Sequence, residues 1–544
     1  MDGRRISGWR LGLGLCLVVT LATGLASPSP SMSSAPLGTV RFPSSAGPAA
    51  QAAFLRGVAA LHSFWYDEAA EAFREAERLE PGFALAYWGE AMTANHPIWA
   101  EQDREAARAA LAKLAPSREA REAKAPTARE KGYLDAVEVL YGEGDKAARD
   151  LAYAQAMGRL AAAHPDDDEA AAFHALALLG TVRPGDPAES QLRRRMQAAG
   201  ILEEIFARHP DHPGVVHYLI HSYDDPIHAP LGLRAALVYA RVAPAAPHAL
   251  HMPSHIFVQL GRWDQAVASN EAAWAASVAW VERKGMAPEK RDFHSLSWLQ
   301  YAYLQQGRWA KAAETLETAR RAAEEDAKSE RIAGVLAGME ARQAIETGHP
   351  AKMAPAAGGE SHEHYGHGAG TDLLAAGLAA ARGGDAKTAS DIAAQLQDAA
   401  VKKEGYAGKP FAIMAREVEG LSLLAGLGKE GETAGLARLQ EAAEMEAALD
   451  PPSGPPDPAK PACELYGEAL LAHGQAAAAR QFERSLARTP NRAASLLGAA
   501  RAAAKQGDKE GAQRYAAALA AIWQQADPDL PQRAELRQLQ TPAR

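Results

Sequence analysis

Residues 57–92 read GVAALHSFWYDEAAEAFREAERLEPGFALAYWGEAM, and their spacing decides the fold. Apolar residues recur every three or four positions through two runs separated by a short break, which is the period of amphipathic helices and not of strands. Gly57 is a small residue where two helices can cross closely. Ala69 and Phe73 form an A-x3-F pair on the second helix, and Pro81 ends the unit. The same turn returns as LGRWDQAVASNEAAW at Gly261 and QGRWAKAAETLETA at Gly307, and Ala478, Phe482 and Pro490 repeat the pattern near the C-terminus. A helix pair that recurs along a chain cannot bury its apolar face alone, so it must stack on its neighbours. Period-2 runs of β-branched residues are almost absent. The fold class expected is all-α, a superhelical solenoid of antiparallel helix pairs.

The chain has 544 residues and a formal net charge of −9. Arg4, Arg5 and Arg10 followed by the apolar run LGLGLCLVVTLATGLA have the form of an export signal, with cleavage expected after residue 26. Removing residues 1–26 deletes Asp2 and three arginines and takes the net charge to −11. A moderately acidic chain argues against nucleic acid as a partner, and no later stretch has the roughly 20 apolar residues that span a bilayer. A periplasmic or secreted location is expected. Only Cys463 remains after processing, which rules out an intrachain disulfide and disfavours thiolate metal sites. Residues 27–48 are expected to be a flexible lead-in, 49–449 a main repeat array with a Gly/His loop at 355–370, 450–461 (DPPSGPPDPAKP) a stiff Pro-rich linker, and 462–544 a shorter C-terminal array.

Histidine is concentrated where the repeats are best formed. Of 18 in the chain, eight (His209, His212, His217, His221, His228, His248, His251 and His255) fall within 47 positions. His217 and His221 stand at i and i+4 on one helix face; His251 and His255 repeat that spacing, and His248 joins their stripe at i−3. Pro253 must kink this second helix or begin it. Two neighbouring inner helices, each with an HxxxH pair, can bring imidazoles to one point, a donor set that suits zinc, copper, iron or nickel. Asp224 and Asp225 are candidates as ligands or as carboxylates behind the rings. The competing reading is that such histidines tie down polar backbone by hydrogen bonds.

The block HYLIHSYDDPIHAPLGLRAALVYARVAPAAPHALHMPSHIFVQLGRW, together with the helix-pair motif, resembles that of bacterial tetratricopeptide-repeat proteins, a group distantly similar to the eukaryotic tetratricopeptide repeat protein 38. The resemblance covers most of residues 50–345 and, more weakly, 462–525. It implies a helical superhelix with a binding face and names no reaction.

By the turn positions, His62, His96, His174, His228 and His294, with Trp88 and Trp99, are expected to line the groove; His248 and His294 each lie 13 residues before a turn glycine. No phosphate loop, nucleophile elbow or dinucleotide-binding glycine motif is present, and HEHYGH at 362–367 is not a zinc-protease helix. Two functions are therefore set against each other. One is an exported binding protein whose groove holds a protein segment or small ligand beside a His-bound divalent metal. The other is a metal-dependent hydrolytic or redox enzyme inside the superhelix, with a purely architectural scaffold as a third reading.

Overall fold

The ring of Phe73 fills the space that a side chain would need at Gly57 and at Gly89, so either glycine would collide with it if given a Cβ. One aromatic residue on an outer helix is thereby clamped between the inner helices of two successive repeats. Phe482 stands in the same relation to Gly467 and Gly498. This lock explains the A-x3-F spacing. The glycines admit the ring, and Ala69 and Ala478, both buried, let the outer helix approach.

The computed structural model describes residues 37–349, 370–426 and 428–540. They form a chain of antiparallel helix pairs, and the only strands among them are Asn95–His96 and Glu101–Gln102, paired antiparallel. The expected export signal, residues 27–36 and nearly all of the Gly/His loop lie outside the described residues. The turns at Gly261 and Gly307 close in the left-handed region, at φ +66° and +67°. In each, the amide three residues beyond the helix returns to a helical carbonyl: Arg262 N–H to Phe257 O at 2.8 Å and Arg308 N–H to Tyr303 O at 2.9 Å. Glycine is required because a side chain at that φ is strained.

Two stretches read from their composition as a flexible lead-in and a stiff linker are packed against the repeats. Residues 37–48 are held against the repeats: Phe42 is buried against Phe54, Trp88 and Tyr133, and Thr39 N–H donates to Asp211 O at 3.0 Å. The Pro-rich stretch 450–461 is a strap and not a spacer. Gln259 Nε2 donates to Pro452 O at 2.9 Å, Gly454 lies against the Trp298 indole, and Ala459 and Lys460 are buried. Apolar packing continues across it, joining Leu374 and Met414 on one side to Cys463 and Phe482 on the other. The C-terminal helices also bind the middle repeats. Trp523 Nε1 donates to Gln305 O and Asp527 N–H to Gly307 O, both at 3.0 Å, while the buried Arg492 guanidinium bridges Glu464 and Glu346.

The His-rich block forms the helix Pro213–Ser222 and two short helices, Pro247–His251 and Pro253–Gln259. Pro253 begins the second of these short helices, as expected: Met252 keeps helical dihedrals and caps both helices, so the helical register carries across the boundary. The next inner helix, Phe293–Gln305, completes the wall.

Candidate metal centre

Helix register brings six imidazoles together, but as two groups of three. His217, His221 and His248 each aim one ring nitrogen at a common point, with those nitrogens within 4.8 Å of one another, and His251, His255 and His294 do the same beside them. His217 Nε2 stands 3.1 Å from His221 Nε2 and 3.2 Å from His248 Nε2. In the second group, His251 Nε2 and His255 Nε2 are 3.2 Å apart. Two nitrogens bound to one ion at about 2.0–2.1 Å and separated by 3.1–3.2 Å subtend roughly 100°, close to tetrahedral.

The partners behind the rings set which nitrogen carries a proton. His217 Nδ1 donates to the His62 carbonyl at 2.7 Å, which leaves Nε2 as a bare lone pair. His251 Nδ1 meets Asn270 Oδ1 at 2.7 Å; the Asn270 amide is itself oriented by Nδ2 donating to Ala266 O at 2.8 Å, so oxygen faces the ring and the ring donates. His255 Nδ1 donates to Asp224 Oδ2 at 2.6 Å. Two Nε2 atoms, each with its proton fixed on the far side of the ring, therefore face one another at 3.2 Å, an arrangement that repels until a proton or a metal ion enters between them. Burial disfavours the proton. It holds His217 down to about 3, and it pushes His221, His248 and His251 well below the usual histidine range, with neighbouring imidazoles adding to the effect. Neutral imidazole is the form that binds metal.

A third cluster behaves differently. His62, Glu169 and His212 also converge, and all three are buried. Here donors and acceptors match. His212 Nδ1 accepts from Val215 N–H, so its Nε2–H donates to Glu169 Oε1 at 3.1 Å. His62 Nε2 donates to Glu169 Oε2 at 2.7 Å, and its Nδ1 accepts from the Tyr218 hydroxyl at 2.9 Å. Arg41 N–H adds a further bond to the carboxylate. The two histidines hold Glu169 well below the usual carboxylate range despite its burial. Every polar atom is satisfied without an ion, and the cluster fixes the His62 carbonyl that orients His217.

The expected site residues divide accordingly. His217, His221, His248, His251 and His255 converge, and His294, expected in the groove, belongs with the second three. Asp224 acts from behind His255. Asp225 does not reach either group: it pairs with His228 at 2.7 Å, so neither faces the rings. His62 is locked in the Glu169 network and does not line a groove. Trp88 is wholly buried in the aromatic core, a correction that follows from its contacts with Phe42, Tyr133 and Phe173. His174 packs on Gly158 away from the centre. His96 stacks on Tyr66 and pairs with Glu101. Trp99, the exposed member, stands edge-on to His248.

Sequence reading did not single out Phe64 and Trp298 for the site. Phe64 packs on all three rings of the first group, nearest His217 at 4.3 Å between centroids, and Trp298 covers all three of the second, nearest His255 at 4.5 Å. Phe64 has φ +51°, unusual for a bulky residue, and strain of that kind gathers at functional sites.

The fold and site define an all-α helix-pair solenoid of tetratricopeptide type with a histidine-lined interior. No family model matches the chain, and no curated protein matches it. Among solved structures it is similar to the human IFIT1 dimer with m7Gppp-AAAA (13% identity, 89% of this chain and 92% of that one, TM-score 0.31). It is also similar to yeast Tom70 (12%, 90% and 94%, TM-score 0.28) and to the P58(IPK) TPR domain (12%, 85% and 99%, TM-score 0.23). The helix-pair packing described above, and not these scores, carries the fold.

Proposed function

We propose that the protein binds two transition-metal ions inside its superhelix, one in each three-histidine group, and presents them to a small ligand or a protein segment in the groove. The observation that carries this reading is the tautomer pattern: back-side partners commit Nδ1 of His217, His251 and His255 as donors and turn bare Nε2 atoms inward. Three protein ligands per ion leave a position for something else, as in catalytic and not structural sites. His221, His248 and His294 are the partly exposed members, which gives that position a route from the groove. This openness favours the second reading, a metal-dependent enzyme. Export to the periplasm or the exterior is part of the proposal and rests on the N-terminal sequence; among the described residues no helix is long and apolar enough to cross a membrane.

The test is metal content by mass spectrometry on untagged protein, beside His217→Ala/His221→Ala and His251→Ala/His255→Ala variants. Two equivalents in the parent chain and one in each folded variant are expected. No stoichiometric metal in any sample would return the histidines to packing roles.

A further inference from the structure

The two groups are near neighbours. The His221 ring lies 6.1 Å from the His255 ring and the His248 ring 6.2 Å from the His251 ring, centroid to centroid. His248 and His251 are one turn apart on the single helix Pro247–His251 and serve opposite groups, so that helix ties the sites together. Ions held there would occupy adjoining sites.

The donor set narrows the metal. All six inward ligands are imidazoles. Asp224 reaches only the far side of His255, and Glu169 is occupied by His62 and His212. Hard ions that want oxygen donors are poorly served, and so are iron pairs, which need bridging carboxylates. Neutral nitrogen ligands suit copper and zinc, and copper binds nitrogen donors more tightly than its divalent neighbours. A site with no anionic ligand also favours the lower charge of Cu(I).

The surroundings narrow the ligand. The Phe64 ring packs on the first group and the Trp298 ring on the second, so the space beside the histidines has apolar walls. Apolar walls of this kind favour a small apolar molecule over a charged phosphoester.

We propose that the paired groups form a dinuclear copper centre that binds dioxygen between its ions, an inference that rests on the two-metal reading above. The step balances without a further reductant. Each Cu(I) gives up one electron and becomes Cu(II), and dioxygen accepts both to become peroxide bridging the two ions. Reversal returns dioxygen and two Cu(I).

The experiment loads the full chain with two equivalents of Cu(I) without oxygen, then admits oxygen while uptake, near-ultraviolet absorption and electron paramagnetic resonance are followed. One dioxygen taken up per two coppers is expected, with a peroxide-to-copper charge-transfer band and no paramagnetic signal, because the two Cu(II) spins couple through the bridge. His251→Ala is expected to keep one copper, lose dioxygen uptake and show an ordinary Cu(II) signal. The parent chain alone decides the matter if the variant does not fold. Two bound coppers that oxidise to two separate paramagnetic Cu(II) ions, or take up no dioxygen, overturn the inference and leave the two-metal reading intact. Stoichiometric zinc with no retention of Cu(I) does the same, and failure to hold any metal overturns both.

Discussion

Replacing Asp224 by asparagine separates the two groups of three. Asp224 is buried, and its Oδ2 accepts from His255 Nδ1 at 2.6 Å, the length of a charge-assisted bond. Asparagine keeps the shape and can offer its carbonyl oxygen to the same N–H, so the ring stays in place while the charge behind it is removed. Its amide nitrogen takes the position of Oδ1, which has no hydrogen-bond partner among the described residues, so one unpaired atom replaces another. A hydrogen bond to a charged group contributes about 1.5–3 kcal/mol and a neutral one about 0.5–1.5. The difference, about 1–1.5 kcal/mol, appears as lower basicity at His255 Nε2 and corresponds to roughly tenfold weaker metal binding, the low end of what losing such a partner costs. Asp224 makes no hydrogen bond to His217, His221 or His248, and His217 is oriented instead by the His62 carbonyl. Titration against a competing chelator should therefore show one of two equivalents weakened about tenfold and the other unchanged. Equal weakening of both, or of neither, would refute the assignment of Asp224 to the second group.

Two further outcomes follow from burial. His217, His221, His248 and His251 have folded-state pKa values below the unfolded value of about 6.5, so as pH falls below it the unfolded chain takes up protons that the folded rings refuse. Each such ring lowers stability by about 1.4 kcal/mol per pH unit across the interval between its two pKa values, for His217 from about 6.5 to about 3. His212, raised by Glu169, works the other way: its contribution is full below 6.5 and is lost as pH rises through its folded value. The lowered rings outnumber it, so the urea midpoint of metal-free protein should drop steeply between pH 7 and 5.5, as tested in chelator; a midpoint that rises on acidification would contradict the burial of these rings. Glu169→Gln offers one acceptor where His62 and His212 both donate, leaving a buried donor unpaired at a cost of about 1–3 kcal/mol. Denaturant unfolding should show that loss with metal stoichiometry unchanged in the folded protein, whereas loss of one metal equivalent without loss of stability would make this third cluster a metal site.

Much of this was legible in the sequence because it is periodic. The A-x3-F pair and its glycines announce the repeat, since only that combination lets Phe73 sit between Gly57 and Gly89. The HxxxH pairs announce two converging helix faces. What periodicity cannot show is which rings meet across helices. His248 and His251 lie on one stripe yet serve different groups, because the next inner helix contributes His294 beside His251 at 4.6 Å while His217 reaches back to His248. Backbone partners are equally hidden, and nothing in the residue types marks the His62 carbonyl as the acceptor for His217. Composition misled in two places: it suggested a flexible lead-in at 37–48 and a stiff spacer at 450–461, where Phe42 packs into the aromatic core and Gly454 lies against Trp298. Trp88 was placed in the groove because aromatic residues serve ligands and cores alike, and only tertiary contacts distinguish the two.

The most direct test of the central claim is an anomalous-diffraction map of the full chain, crystallised after equilibration with a transition metal and recorded at that metal's absorption edge. Two peaks are expected, one about 2.0 Å from the inward nitrogens of His217, His221 and His248 and the other equally close to those of His251, His255 and His294. A map with no peak at either group, or with its only peak among His62, Glu169 and His212, would contradict the account.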